Sequence, residues 1–199
     1  MKNKKKLKEK GLVLRPITES DTDLIVCWRN KESVKKNFLY RSDFTAETHR
    51  KWFREKVQTG NVVQFIIEMQ NKVQSVPVGS TYLRDIDYEN SSAEFGIFIG
   101  EDSARGKGVG TTAAKMILDY GHNELGLHRI FLRLLADNIV AYKSYRKAGF
   151  VTEGIFRDMK KIDGKYRDIM FMSSIHNNEG GGHISIVFFH VNLQYEEAA

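Results

Sequence analysis

The sequence predicts a single α/β domain built on one mixed β-sheet, and three observations lead to this fold class. A chain of 199 residues with 41% hydrophobic content suits one compact core. Three β-rich segments at 62–69, 76–83 and 93–99 follow one another closely, which is typical of an antiparallel meander. The second half then alternates strand, helix, strand, helix and strand. This order favours parallel crossover packing in that half.

The first half is expected to begin with a short strand over 12–15, which Pro16 stops, followed by two helices. Capping residues at 18–21 begin a helix that runs to Asn30, and the second helix is expected over 45–60. Both helices therefore precede the meander.

The meander and the second half carry clear turn signals. Asn71 and Lys72 predict a turn between the first two β-rich segments, and Pro77 marks an edge or a bulge. Asp163 and Gly164 form a strong two-residue hairpin signal. The remaining elements are expected as helix 108–125, strand 129–135, helix 139–148 and the hairpin strands 155–161 and 166–175.

The charge is concentrated at the start of the chain. The formal net charge is +6, and the first ten residues include six lysines. We therefore predict a basic disordered arm at 1–10, a folded domain at 11–175 and a tail at 176–199 that forms an extra strand or pairs with another subunit. Beyond the arm the charge is nearly balanced, which fits an anionic small-molecule ligand better than a nucleic acid.

Several other classes of protein are disfavoured. No apolar run is long enough to span a membrane and none follows the charged start, so we expect neither a membrane span nor a signal peptide, and a cytoplasmic location. Cys27 is the single cysteine and stands among apolar neighbours, which predicts a buried thiol without a catalytic role. The scattered histidines lack the ligand spacing of a metal site, so no metal is expected.

A glycine-rich loop from Arg105 to Gly110 lies between a predicted strand and the start of a predicted helix. Its glycines let the backbone approach a ligand closely, and the unpaired amides at a helix start attract anions. Arg105 and Lys107 add positive charge, so a diphosphate fits. The alternatives are a flexible glycine turn and a dinucleotide loop, but the dinucleotide spacing needs a glycine where Thr111 stands.

Two motifs in this order resemble the GNAT family of N-acetyltransferases. Arg105-x-x-Gly108-x-Gly110 matches the family's Arg/Gln-x-x-Gly-x-Gly/Ala signature. The second motif, Asn-x-x-Ala-x-x-x-Tyr-x-x-x-Gly-Phe, is reproduced by Asn138, Ala141, Tyr145, Gly149 and Phe150. The resemblance extends over 12–175 and includes the spermidine, amino-sugar-nucleotide and ribosomal-protein acetyltransferases.

The resemblance implies a fold and a cosubstrate. It implies a mixed central sheet with a splayed pair of parallel strands, covered by helices on both faces, and it implies acetyl-coenzyme A (acetyl-CoA) as the acetyl donor. The implied cofactor-binding residues are the strand residues Ile97, Phe98 and Ile99, the loop residues Arg105, Gly106, Lys107, Gly108, Val109, Gly110 and Thr111, and the helix residues Asn138 and Ala141.

The implied reaction is direct acetyl transfer to a primary amine in a ternary complex. The amine must lose a proton before it attacks, and the departing thiolate must gain one. Tyr145 is the implied acid, with Tyr142 as a competitor that the motif spacing disfavours. Glu94 is the candidate base, and a glutamate that merely pairs with an arginine is the alternative. His49 and Glu68 are weaker candidates for the base.

The acceptor is less well specified. Trp28, Arg29, His49 and Trp52 are the predicted substrate-binding residues, in a pattern similar to that of amino-sugar-nucleotide acetyltransferases. Aromatic rings stack on sugars or bases and Arg29 can meet a phosphate, although both tryptophans are equally compatible with a helix core. The later part of the chain resembles instead the spermidine/spermine enzymes and those acting on ribosomal protein N-termini. A non-catalytic acetyl-CoA-binding module, a nucleic-acid binder and a homo-oligomer are the other possibilities; we expect neither a nucleic acid nor a membrane as partner.

Overall fold

The computed structural model describes residues 6–9, 11–70 and 74–176. Its strands are β1 (Leu7–Glu9), β2 (Leu12–Pro16), β3 (Val63–Gln70), β4 (Ser75–Asp87), β5 (Ser92–Ile99), β6 (Arg129–Leu135), β7 (Val151–Ile162) and β8 (Lys165–Ile175). Its α-helices are α1 (Thr22–Asn30), α2 (Glu32–Lys35), α3 (Ala46–Trp52), α4 (Val109–Asp119) and α5 (Ile139–Ala148). The turns expected at 71–72 and the strand expected within 177–199 lie outside the described residues.

The strands form one mixed sheet in the order β1-β2-β3-β4-β5-β6-β8-β7. The meander β3-β4-β5 is antiparallel, as predicted, and β5 pairs with β6 in parallel. That parallel pairing is short: it ends at Glu94 opposite Phe131, and the rest of the two strands separates. The predicted splayed pair of parallel strands is therefore confirmed.

The expected parallel packing of the whole second half is wrong for its last strands. β8 lies between β6 and β7 and is antiparallel to both. The cause is the hairpin turn, in which Asp163 (φ 49°) and Gly164 (φ 80°) return the chain directly alongside β7. The hairpin signal was correct, and as a consequence β5 and β6 are the one parallel pair among the described strands.

The sheet has a separate hydrophobic core on each face. Along β3, Phe65 and Ile67 point into a core shared with α4, whereas Ile66 points into a core shared with α1 and the segment after α3. All three side chains are fully buried. This two-residue alternation places α4 and α5 on one face and α1 to α3 on the other, as the resemblance implied.

The N-terminal segment corrects one prediction. Leu7–Glu9 does not behave as part of a disordered arm, because it forms β1 and pairs antiparallel with β2. Gly11, with φ 75°, provides the turn, and Leu7 packs against the α4-side core. Lys6 is described but lies outside the strand, and residues 1–5 and 10 of the predicted arm lie outside the described residues.

Two further local predictions can be compared with the fold. Pro77 lies at an irregularity of the β3-β4 pairing, where Ile67 is opposite Gly79 and Glu68 is opposite Pro77, so the predicted bulge is confirmed. Cys27, in contrast, is exposed rather than buried. Helix α1 directs Ile25 and Trp28 toward the sheet, which leaves position 27 on the solvent side. No helix within the described ranges is long and apolar enough to cross a membrane.

Candidate active site

The separation of β5 from β6 opens a cleft of about 940 Å³ through the sheet. The cleft extends from the glycine-rich loop at the start of α4, past the ends of β5 and β6, to the segments around α1 and α3 on the other face. It brings together nearly all of the predicted site residues. Lys107 and Trp28 do not line it, and neither do the weaker base candidate Glu68, which pairs with Arg15 at 2.7 Å, and the competing Tyr142.

Backbone amides of β5 face the cleft at alternate residues. The Gly100 amide donates to Val78 of β4 at 2.8 Å, and a Cβ at Gly79 would collide with the Phe98 carbonyl. Residue 98 therefore directs its backbone groups toward β4, and the alternation turns those of Ile97 and Ile99 toward the gap. Of the three strand residues predicted to bind the cofactor through their amides, Ile97 and Ile99 have the suitable orientation.

The glycine-rich loop is shaped by two left-handed residues. Gly106 has φ 73°, and Gly108, the N-cap of α4, has φ 77°. Residues other than glycine rarely adopt such positive φ angles. The first hydrogen bond of the helix is from the Thr112 amide to the Gly108 carbonyl, at 3.0 Å. The preceding amides point out of the helix start, so the loop can receive a diphosphate.

The two basic residues of the loop differ in role. Arg105 donates to the Ile99 carbonyl at 2.9 Å and pairs with Asp102 at 3.0 Å. It therefore fixes the loop against the end of β5, and part of its charge is already compensated. Lys107 is exposed and lies outside the lining of the cleft, where it can contribute only a screened charge.

Helices α4 and α5 are joined beside the loop. The hydroxyls of Thr111 and Ser144 are 2.8 Å apart, and a Cβ at Gly110 would lie 3.7 Å from the Ser144 hydroxyl. A Cβ at that distance makes an ordinary van der Waals contact, so it is the hydroxyl pair of Thr111 and Ser144 that joins the first turn of α4 to α5. This contact sets the position of α5 relative to the anion site.

The second motif mostly encodes the ends of α5. Asn138 caps the helix, because its side-chain oxygen accepts a hydrogen bond from the Ala141 amide at 3.1 Å. Gly149 ends the helix with φ 113°. Phe150 is buried in the α4-side core. Asn138 and Ala141 line the cleft, so they are placed where a cofactor could reach them, but their clear local role is to begin the helix.

Tyr145 is the member of that motif that we predicted to act as the acid. Its ring packs edge-on against Phe95, with centroids 5.7 Å apart, and against Phe150, at 5.9 Å. Its hydroxyl has no hydrogen-bond partner among the described residues, and the side chain lines the cleft. Burial, with a smaller effect of the nearby Tyr82, raises the pKa of the Tyr145 phenol well above its usual value. The phenol is therefore protonated at neutral pH, as an acid must be.

Glu94 lies where the gap opens and is held by two arginines. Arg84 of β4 donates to it at 2.8 Å, and Arg133 of β6 donates to the same oxygen at 2.9 Å. The Glu94 side chain is 8% exposed. The carboxylate thus ties together the strands on both sides of the gap, which is the ion-pair alternative to a free base.

The sequence Trp28-Arg29-Asn30 at the end of α1 has three different roles. Trp28 is fully buried, donates its indole N–H to Glu101 and fills the space above Gly100, where any Cβ would collide with its ring. The prediction that Trp28 binds substrate is therefore wrong, because its ring belongs to the core. Asn30 exchanges two hydrogen bonds with the backbone of Phe44, at 2.8 and 2.9 Å. Arg29 alone enters the cleft.

An aromatic wall surrounds Arg29. Its guanidinium lies 3.4 Å from the centroid of Phe38 and 5.2 Å from that of Phe44. Phe44 in turn contacts His49, which packs against Trp52 with centroids 5.6 Å apart. Arg29, His49 and Trp52 line the cleft, where we predicted substrate-binding residues.

His49 is buried in one defined tautomer. Its Nδ1 is 3.0 Å from the Thr22 hydroxyl, which itself donates to the Glu19 carbonyl at 2.7 Å. Because that hydroxyl has used its proton, Nδ1 must carry the imidazole proton and Nε2 keeps a lone pair. Nε2 has no partner in the described part of the chain. Burial lowers the His49 pKa, so the ring is neutral at pH 7.

Sequence reasoning missed several residues of the site. Tyr82, Arg84 and Gln64 project from the central strands toward α1 to α3, as does Arg133 from β6, and all four line the cleft. A signal existed, since polar side chains at alternate positions of a buried strand are unusual. Within the described ranges, no group of acidic, histidine or cysteine side chains is arranged to hold a metal.

Comparison with known proteins defines the class. Residues 11–151 match the family model described as an acetyltransferase (GNAT) domain, so the chain belongs to the GNAT family. It is an acetyl-CoA-dependent N-acetyltransferase of that family, and the loop, the splayed strands and the cleft fit acetyl-CoA as its cosubstrate.

The similar proteins include enzymes with named acceptors. The spermidine N(1)-acetyltransferase of Vibrio cholerae is 27% identical over 81% of this chain and 91% of its own length. That of Escherichia coli K12 is 31% identical over 68% of this chain and 77% of its own. A crystal structure of the Vibrio cholerae enzyme in complex with CoA and spermine superposes with a TM-score of 0.77 at 26% identity, covering 84% of this chain and 96% of that one.

Proposed function

We propose that this enzyme transfers the acetyl group of acetyl-CoA directly to a primary amine bound in the same cleft. The observation that carries the proposal is the gap between β5 and β6, which connects the two faces of the sheet. Tyr145 and the α4 loop approach the gap from one face, and Arg29, Tyr82 and Glu94 approach it from the other. Donor and acceptor can therefore meet without passing the acetyl group to the protein.

The donor side has three functional parts. The amides at the start of α4 hold the diphosphate, and those of Ile97 and Ile99 donate to the pantetheine arm and the acyl oxygen. Acetyl-CoA supplies the activated acetyl group when bound. Tyr145 then gives its proton to the departing thiolate, as a phenol that is protonated at neutral pH can do.

Direct transfer is favoured by the nucleophiles that the cleft offers. No cysteine lines it, and Cys27 is exposed elsewhere on α1. Ser144, beside the loop, is hydrogen-bonded to another hydroxyl rather than to a base, so it lacks the activation that a covalent intermediate needs.

We assign Glu94 to positioning and leave proton removal to His49 or to solvent. Two arginines already donate hydrogen bonds to this carboxylate, and their positive charges favour its ionised form. It is therefore poorly suited to take a proton from the amine. His49 is neutral, with an unpaired Nε2, and is the better-suited base in the acceptor part of the cleft.

Two acceptor classes follow from different observations. The relatives named for spermidine favour a polyamine and do not favour the amino-sugar nucleotide that the sequence pattern predicted. The described lining of the cleft is mostly basic, which favours an anionic amine over a polyamine. The cytoplasmic location stays a prediction.

Self-association is a further part of the proposal. The outer hairpin β7-β8 exposes Val151, Ile155, Phe156 and Tyr166, each at least half exposed. Exposed apolar side chains on the hairpin at the edge of a sheet are typical of a protein interface. One structure of the Vibrio cholerae relative is described as dodecameric. Sedimentation of this protein as a monomer at micromolar concentration would contradict the proposed homo-oligomer.

The proposed function is tested by thiol release. The protein is mixed with acetyl-CoA and a panel of primary amines, and free thiol is measured together with the mass of the product. We expect release that requires both an amine and the enzyme. Binding of acetyl-CoA without release for every amine would favour the non-catalytic module instead.

A further inference from the structure

Arg29 is a partly buried cation without a counterion among the described residues. Its guanidinium stacks on Phe38, and no carboxylate or carbonyl of the described chain accepts a hydrogen bond from it. Burial and the neighbouring Arg84 lower the Arg29 pKa, yet an arginine stays protonated at neutral pH. A charge held out of water in this way is costly unless a ligand compensates it.

The stacking leaves Arg29 in a suitable state to bind an anion. A guanidinium lying on a ring face is stabilised by the aromatic electrons, while its N–H donors stay in the plane and point outward. Those donors form a planar fork that matches the two oxygens of a carboxylate or a phosphate. Phe44, fixed to Asn30 by two hydrogen bonds, flanks the guanidinium on α1 and limits its movement.

The surrounding charges have the same sign. The side chains on the α1 to α3 side of the cleft include Arg29, Lys36, Arg84 and Arg133. Glu94 is the one acidic residue in the described lining, and two of the arginines already share it. This end of the cleft is therefore positive before any ligand binds. It would repel a polyamine and attract an anion.

Arg29 is also on the acceptor side rather than the donor side. It lies on the face of the sheet opposite Tyr145 and the α4 loop, near Tyr82 and Arg84. Tyr82 crosses β5 at Gly96, where any Cβ would collide with its ring, and Tyr82 is also close enough to Tyr145 to raise its pKa. A group bound by Arg29 thus lies just across the gap from the proposed acid.

We infer that the acceptor amine carries an anionic oxygen group, a carboxylate or a phosphate, which binds to Arg29 on the aromatic wall. This inference rests on the proposed function and names its substrate class. The anion neutralises the unpaired arginine and orients the amine toward the gap between β5 and β6. Two buried polar atoms on the same side of the sheet, His49 Nε2 and Gln64 Oε1, have no partner in the described part of the chain.

The test compares matched amines with and without the anion. Thiol release from acetyl-CoA is measured with O-phosphoethanolamine against ethanolamine, with γ-aminobutyrate against butylamine, and with spermidine. The enzyme should prefer the charged member of at least one pair, and the preferred pair distinguishes phosphate from carboxylate. Arg29→Met keeps the length of the side chain and removes the charge. It should raise KM for the preferred anionic amine about 10- to 100-fold, which is the usual effect of losing a charged hydrogen-bonded pair.

Controls separate this effect from misfolding and from donor binding. Arg50→Met removes an exposed arginine of α3 that does not line the cleft, and it should leave KM unchanged. Arg29→Lys should restore part of the affinity. KM for acetyl-CoA and for the neutral amine should be the same in Arg29→Met as in the wild type.

Three outcomes would overturn the inference. The first is preference for spermidine or for the neutral amines, which leaves the proposed function intact. The second is an Arg29→Met variant with an unchanged KM for the anionic amine, and the third is a variant whose defect is in KM for acetyl-CoA. If none of the amines gives thiol release, the proposed function itself is contradicted. Binding of inorganic phosphate to the CoA complex then decides the inference: phosphate binding lost in Arg29→Met supports it, and equal binding refutes it.

Discussion

Replacement of Tyr145 by phenylalanine removes one hydroxyl from the cleft and little else. That hydroxyl has no hydrogen-bond partner among the described residues, so its loss leaves no buried polar group unpaired. The ring contacts with Phe95 and Phe150 are kept. The free energy of unfolding should therefore change by less than about 1 kcal/mol, which makes any change in catalysis interpretable.

The expected loss of turnover in Tyr145→Phe is large. A positioned acid contributes roughly 10²- to 10⁴-fold, so kcat should fall by that factor, equivalent to about 3–5 kcal/mol of transition-state stabilisation. Thiol release at saturating acetyl-CoA and amine gives kcat, and calorimetry gives the affinity for CoA, which should be unchanged. Tyr142→Phe is the matched control on the same helix and should retain activity. A Tyr145→Phe enzyme with wild-type kcat would remove Tyr145 from the mechanism.

Three other changes test separate parts of the site. Glu94→Gln should lower the free energy of unfolding by about 2 kcal/mol, because Arg84 and Arg133 lose a shared partner that is more buried than they are; a large fall in kcat at unchanged stability would instead identify Glu94 as the base. Gly108→Ala places a side chain on a backbone with positive φ, so it should weaken CoA binding up to roughly 10-fold. Gly126 also has a positive φ but lies outside the cleft, so Gly126→Ala should lower stability without lowering the affinity for CoA. The pKa of His49 is lowered in the folded state by burial, so its contribution to stability is present above the unfolded value of about 6.5 and is lost as pH falls. Denaturation between pH 7 and 5 should therefore show falling stability, less steeply in His49→Gln, and identical slopes would refute the burial effect.

The fold was largely predictable where the signal is local. Strand β6 and helix α5 have the predicted bounds, and the hairpin at Asp163-Gly164 is a turn that its own two residues specify. The position of β8 between β6 and β7 was not predictable in this way. It depends on how the hairpin meets the rest of the sheet, and order of elements along the chain does not contain that information.

The candidate site was predictable where backbone requirements determine residue type. The glycines of the loop and the caps of α5 are such positions, and they carry both motifs. The sequence does not decide between the two roles of Glu94, because its partner Arg133 is 39 positions away. Likewise, consecutive residues of a helix point in different directions, so only the placement of the sheet shows that Trp28 is core and Arg29 enters the cleft.

Initial rates of thiol release, measured while acetyl-CoA and the amine are varied together, distinguish direct transfer from transfer through the protein. Direct transfer in one cleft requires both substrates to be bound before the acetyl group moves. Double-reciprocal plots at several fixed amine concentrations should therefore give lines that intersect. Parallel lines, with an acetylated protein detected by mass spectrometry in the absence of amine, would show a covalent route and refute direct transfer.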